Sequence, residues 1–335
     1  MTEEQKRESD ATLELILKTC PNPILIGYGG SIAYGTSTPK SDVDIRGIFM
    51  NPLSEFIGTR PDSEQFMPSG SDTTIYSIKK MFKLLFDCNP NTIELLGLKP
   101  DHYLYVDKVG EKILDNRDVF LSQKAGYTFG NYAKAQLNRL VNKSGRAKSE
   151  AGGNEARSIS KALNHLKHNE GIDGFDAYIK EKDGPVCIAA DGSFDINDFC
   201  RAAGEILNIH SDYCKSTRND KAVKHDKIEK HAMHLVRLYL MGIDILEGKG
   251  VITYRGNDLA LLQDIRSGKF MESDGVTPNS AFNDLVALLS DKFDYAWAHS
   301  PLPDRPDAER VNDLMMACVS EFYDLDIALR EGPGV

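Results

Sequence analysis

Only one of the 335 residues is tryptophan and six are cysteine, and the cysteines at 20, 88, 187, 200, 214 and 318 form no C-x-x-C pair. The usual zinc-ribbon and thioredoxin-like spacings are thereby excluded. Cys200, His210 and Cys214 lie close in sequence but match no common zinc pattern either, so the thiols are expected to be reduced and structural. No uninterrupted apolar run approaches the roughly 20 residues of a membrane span. The most apolar long stretch, Leu235 to Leu246, is interrupted by Arg237 and Asp244. The first ten residues, MTEEQKRESD, lack the apolar centre of a secretory signal, and a cytoplasmic protein with no membrane partner is expected. Positive charge is scarce: the net charge is -10, which argues against a surface coated for nonspecific nucleic-acid binding. No repeat with a solenoid period and no low-complexity tract occurs. Ile32 stands where a dinucleotide-binding G-x-G-x-x-G would need its last glycine, and no Gly-Lys-Ser/Thr follows; P-loop and Rossmann readings are rejected.

The remaining composition is ordinary for a globular protein, with 41% hydrophobic and 27% charged residues and a mean hydropathy of -0.36. The length allows two compact units. Residues 27 to 49, GYGGSIAYGTSTPKSDVDIRGIF, are the most informative stretch. Ile24-Leu25-Ile26 leads into the turn Gly29-Gly30-Ser31, and a polar loop then leads to Asp42-Val43-Asp44. The pattern predicts strand, tight turn, short helix, loop and second strand. On a strand, the i, i+2 spacing puts Asp42 and Asp44 on one face, with Arg46 beside them. Paired carboxylates repel unless a cation lies between them, and all-oxygen ligation favours Mg²⁺, with Mn²⁺ as the alternative. Gly30 and Ser31 offer backbone N–H groups and a hydroxyl to phosphates. Arg46 could neutralise the aspartates or touch a triphosphate.

Gly-Gly-Ser, a spacer and S-D-x-D-x-R-G resemble the signature of the DNA polymerase β-type nucleotidyltransferases. The fuller string resembles the RNA-repair, RNA-ligase-associated branch of that superfamily (RlaP/YcgL-like), found in RNA-repair operons and phage genomes. A phage-borne protein of this kind would work in the host cytoplasm. The resemblance implies an α+β fold: a small mixed-sheet nucleotidyltransferase core with flanking helices over 1–118, then a mainly helical substrate- and nucleotide-binding region over 119–335. It implies a metal-dependent transferase that moves a nucleoside monophosphate from an NTP, ATP among them, to an acceptor hydroxyl. The expected acceptor is RNA, perhaps a tRNA end in RNA repair. Transfer to a protein hydroxyl, or a catalytically silent nucleotide or RNA sensor on the same fold, are the alternatives. Such enzymes need a third carboxylate from a neighbouring strand, and Asp72 stands where the resemblance puts it; a turn residue capping the strand start is the plainer alternative. Asp42, Asp44 and Asp72 are then the expected catalytic and metal-binding set.

Asn89 to Leu96 resembles another block of the family. Asn91 suits an N-cap with Glu94 three residues on, as in a capping box, and that local role suffices for both. Further helices are expected over 4–19, 78–86, 109–114, 119–141, 158–168, 195–207, 221–247, 259–267, 281–297 and 307–329. Strands are expected at 72–77, 102–106, 186–190 and 251–254, a polar loop over 145–154 and an irregular region over 170–194. From Lys124 to Lys167, nine basic residues face two acidic ones. On the 221–247 helix Lys230 or His231, His234 and Arg237 share one face. Lys230, His234 and Arg237 are read as a stripe for the triphosphate; a solvated helix face would carry the same residues.

Overall fold

The computed structural model describes residues 1–59, 61–68, 72–147, 151–180, 185–217, 228–273, 275 and 277–325. Its first strand is β1 (Pro23–Tyr28), an inner strand of the sheet whose Ile24, Leu25 and Ile26 are all fully buried. A strand buried on both faces reads as a continuous apolar run, as Ile24-Leu25-Ile26 does. It follows helix α1 (Glu3–Thr19) and leads into the one-turn helix α2 (Gly30–Tyr34). Next come β2 (Ile45–Phe49), α3 (Leu53–Ile57), β3 (Gln65–Phe66), β4 (Thr73–Ser77), α4 (Ile78–Phe86), α5 (Pro90–Ile93), β5 (Tyr103–Val106) and α6 (Lys108–Asp115). The five strands form one mixed sheet in the order β3-β4-β2-β1-β5. β1 runs antiparallel to β2 and β5, whereas β2 and β4 are parallel, with Ile45 opposite Thr73. The expected α+β fold is what the chain adopts.

The later part is mostly helical: α7 (Lys124–Ala147), α8 (Ala151–Glu170), the hairpin β6 (Phe175–Ile179) and β7 (Val186–Ala190), and α9 (Ile196–Thr217). Then follow α10 (Ile228–Leu246), α11 (Leu259–Arg266), α12 (Ser280–Ala298) and α13 (Ala308–Tyr323). Several expectations need correction. Residues 145–147 and 151–154 are helical, so the polar 145–154 segment is not one loop. The irregular region contains β6, paired with β7 in full register. Residues 251–254 form no strand; Thr253 N–H instead donates singly to the Gly97 carbonyl at 3.0 Å. The start of the 221–247 helix lies outside the described residues, whereas the 307–329 helix ends early, at Tyr323, where Asp324 turns left-handed.

Two compact units emerge. The first comprises Met1–Gln136, Met233–Lys269 and Ser280–Val335, and the second comprises Leu137–Ala232 and Phe270–Asn279. The expected boundary at 118/119 falls inside the first unit. There α4 packs on β2 and β4, α6 on β1 and β5, and α13 against both α4 and α6. Phe49, Ile45, Ile48, Ile75, Ile78 and Phe120 are among its fully buried side chains. Replacing Ile48 by alanine should cost about 3 kcal/mol, the usual range for an Ile-to-Ala cavity, readable by urea unfolding. In the second unit, α8 packs on β6, β7 and α9. Ile159, Leu163, Leu166, Ile172 and Ala202 make its own small core.

Candidate active site

The carboxylates gather where β1 ends and β2 and β4 begin. Asp42 and Asp44 sit in the extended segment just before β2, not within the strand itself. The alternation still holds: Val43 and Ile45 are buried, while Asp42, Asp44 and Arg46 point to the opposite, more open side. Asp72 precedes β4 by one residue and is exposed. Because Ile45 pairs with Thr73 in the parallel ladder, Asp44 and Asp72 arrive at the same end of adjacent strands. The Gly29 N–H donates to the Asp44 carbonyl at 2.8 Å, which stitches the turn after β1 to the aspartates. Gly30 has φ +52, and a Cβ there would stand 1.9 Å from Asp44 Oδ2. The turn can approach this carboxylate only because position 30 has no side chain.

Arg46 is committed to the frame of the site. Its Nη1 donates to the Asp72 carbonyl at 2.7 Å and the Ile45 carbonyl at 3.0 Å, and its Nη2 approaches Asp44 Oδ1 at 3.4 Å. Burial pushes the Asp44 carboxyl above the usual range; Arg46 and Arg237 pull it down, while Asp72 and Asp42 push it further up. Among the described residues, no three carboxylate, imidazole or thiol groups converge into a set that could hold a metal ion. The donor chemistry fits a hard divalent cation all the same. Asp42 and Asp44 offer only carboxylate oxygens, and the mutual repulsion at Asp44 is of the kind that a bound cation relieves.

The loop that delivers Asp42 is clamped from two sides. Gln5 caps α1 by bonding the Thr2 N–H, and its Nε2 donates to the Thr38 and Ser41 carbonyls at 2.9 and 2.8 Å. Arg266, the last residue of α11, donates to the Thr36 carbonyl, and also to Ser41 Oγ at 3.2 Å. Nothing among the described residues bonds the Ser31 hydroxyl, whose main-chain carbonyl accepts from Thr36 N–H at 2.9 Å.

Of the basic stripe, His234 and Arg237 belong to the first unit and Lys230 to the second. Lys230 is exposed. Arg237 Nη2 lies 3.1 Å from His234 Nδ1, and the Arg237 guanidinium carbon stands 3.4 Å from the centroid of the Tyr34 ring. Arg237 acts electrostatically on Asp44, Glu94 and Tyr34 together.

Glu94 corrects the sequence reading. The N-cap of α5 is Asn89, whose side chain accepts from the Asn91 N–H; Glu94 stands at the other end, as the C-cap, and its side chain takes no part in a capping box. Its carboxylate is buried and accepts the Tyr34 hydroxyl at 2.6 Å. Burial pushes the Glu94 carboxyl up, opposed by Arg237, the Tyr34 hydrogen bond and Arg46. Burial first, then Glu94, raises the Tyr34 hydroxyl well above its ordinary value, so it stays the donor. A carboxylate inside an otherwise apolar run, Ile93 to Leu96, was the available signal, because an unpaired charge is rarely buried.

A sequence model described as RlaP, the RNA repair pathway DNA polymerase beta family, matches residues 24–317. Among curated proteins, the chain is similar to the "Uncharacterized 38.9 kDa protein in nrdC-mobD intergenic region" of Enterobacteria phage T4. The two are 30% identical over 135 residues, or 37% of this chain and 40% of the phage protein.

Proposed function

From the premise that the chain belongs to the RlaP family, the RNA repair pathway DNA polymerase β family, we propose that it transfers a nucleoside monophosphate from an NTP to an acceptor hydroxyl. The observation that carries this reading is the approach of the side-chain-free Gly30 turn to Asp44, which arrives with Asp72 at the same end of adjacent parallel strands. Residues 1–118 would supply the catalytic core, and 119–335 the helical region that meets nucleotide and acceptor.

In this reading Asp42 and Asp44 would hold Mg²⁺ or Mn²⁺, and Asp72, which does not converge with them into a three-ligand set here, would draw in to complete it. Such an ion supplies Lewis-acid stabilisation of charge around the α-phosphate. The Gly30 N–H and the Ser31 hydroxyl would bind the outer phosphates, with His234 and Arg237 as basic groups of the same unit and Lys230 as a further expected basic residue. Asp72 takes the proton from the acceptor hydroxyl, whose oxygen then bonds to the α-phosphorus. The bond from that phosphorus to its bridging oxygen breaks, and pyrophosphate leaves. The family's place in RNA repair supports RNA as acceptor, a tRNA end being one candidate. The net charge of -10 favours the rival, a protein hydroxyl.

The test is to offer each labelled NTP with Mg²⁺ to the full chain, with total RNA in one arm and cell protein in the other. Label from the α-phosphate appearing in RNA, with unlabelled pyrophosphate released, is the expected result. Asp42→Ala should lose transfer on the order of 10²–10³-fold. An Asp42→Ala protein that transfers as fast as the parent would sink the reading, and NTP binding without pyrophosphate release in any arm would favour a silent sensor.

A further inference from the structure

Tyr34 and Glu94 lie outside the carboxylate set yet connect its parts. Tyr34 closes α2, the helix that opens at Gly30. Its hydroxyl reaches Glu94, 60 residues away in sequence, at 2.6 Å, with both side chains buried. The main chain is pinned at both ends of this contact. The Thr253 hydroxyl donates to the Glu94 carbonyl at 2.6 Å, and the Arg255 N–H donates to the Tyr34 carbonyl at 3.2 Å. The ring so fixed is the surface over which Arg237 sits, 3.4 Å from its centroid. A guanidinium on an aromatic face keeps edge donors available, which suits bidentate recognition of phosphate.

The division of labour between the two arginines decides the argument. Arg46 spends its donors on the Ile45 and Asp72 carbonyls and on Asp44. Among the described residues Arg237 has one side-chain hydrogen-bond contact, to His234, which engages a single nitrogen of the guanidinium. A triphosphate entering beside Asp42, Asp44 and Asp72 brings further negative charge, and of these two arginines Arg237 is the one still able to meet it. Glu94 has no ion-pair partner of its own among the described residues; its side-chain bond is to Tyr34. A buried carboxylate is expensive to keep. A role in holding the platform under Arg237 accounts for its place.

We infer that Tyr34 and Glu94 are positioning residues that set Arg237, through the Tyr34 ring, as the cation that receives the β- and γ-phosphates of a nucleoside triphosphate. The inference rests on the nucleotidyltransferase reading above. It predicts how phosphate-chain length is sensed, independently of base and acceptor. Inorganic tripolyphosphate is therefore the probe, titrated calorimetrically with Mg²⁺ into the full chain, and orthophosphate is the short-chain control. Arg237→Gln and Tyr34→Leu should each weaken tripolyphosphate about tenfold or more, the loss of one charge-assisted contact. The double variant should be no weaker than either single, because both changes remove the same interaction. Tyr34→Phe keeps the ring but breaks the charge-assisted bond to the Glu94 carboxylate, so it should raise the KM for NTP as Glu94→Ala does while losing less tripolyphosphate affinity than Tyr34→Leu. Glu94→Ala should raise the KM for NTP and leave kcat at saturating NTP nearly unchanged, a split that simple loss of stability would not produce.

Circular dichroism checks the fold of each variant. If Tyr34→Leu fails to fold, Arg237→Gln and Tyr34→Phe still carry the test. Parental tripolyphosphate affinity in Arg237→Gln, additive losses in the double variant, or a parental KM for NTP in Tyr34→Phe beside a raised KM in Glu94→Ala would each overturn the inference. If the parent transfers nucleotide while Arg237→Gln keeps its KM, the inference fails and the nucleotidyltransferase reading stands. A parent that binds no triphosphate overturns both.

Discussion

Gly30→Ala is expected to reduce nucleotide transfer on the order of 10²-fold or more and to lower stability by about 1–3 kcal/mol. Two independent causes act at this position. The backbone has φ +52, where a side chain is strained even in open space. The added methyl would also meet Asp44 along its length: Oδ2 at 1.9 Å, Cγ at 2.8 Å and Cβ at 3.2 Å. A flexible tip could swing aside, but here the displaced group is the carboxylate proposed to hold the metal. The activity loss should therefore exceed what a partly unfolded population explains. Urea unfolding and labelled-NTP transfer on the same preparation separate the two. A Gly30→Ala protein that is destabilised yet transfers at the parental rate per folded molecule would place the phosphates elsewhere.

Asp44→Asn should behave in the opposite way on one axis. Transfer is expected to fall on the order of 10³-fold, because an amide cannot replace a carboxylate beside a cation. Stability at neutral pH is expected to hold or rise. The sign follows from the raised carboxyl of Asp44: burial first, then Asp72 and Asp42, disfavour its ionised form in the folded chain. Ionisation thus weakens the fold above the ordinary aspartate range, and asparagine removes that cost while fitting nearly the same space. A higher melting temperature with lost activity is the pattern of a site kept charged for function. A variant that melts lower and still transfers would contradict both halves.

Much of this site was legible in the order of residues. The apolar run before Gly29, the i, i+2 aspartates and the β-branched Thr73-Thr74-Ile75 are local signals, and the local chain obeys them. The strand assignment of Asp42 and Asp44 missed by a few residues, because the hydrogen-bonded ladder begins at Ile45 although the extended alternation starts earlier. Glu94 was misread for a different reason. A capping box is a three-residue pattern, and Asn91 with Glu94 satisfied it on paper. The competing partner, Tyr34, becomes a neighbour only once α2 and α5 have packed. The same holds for Arg237, whose helical stripe was visible but whose aromatic platform was not. β6 escaped because Phe175-Asp176-Ala177-Tyr178-Ile179 is short and flanked by glycine and charge. Its pairing with β7 is a contact between segments, not a property of either one.

The packing of α13 on α4 and α6 has a consequence for how the protein is made. Ribosomes release the sheet strands, 23–106, long before Arg237, and the last covering helix, 308–323, only at the end of the described chain. Arg237, the second cation acting on Asp44 after Arg46, emerges well after the acidic cluster, and the apolar faces of α4 and α6 wait for α13 until residues 308–323 have left the ribosome. Nascent chains halted before residue 308 should stay protease-sensitive and bind hydrophobic-surface chaperones. Completion of the first unit should therefore wait until residues 308–323 have emerged, however early the sheet strands do.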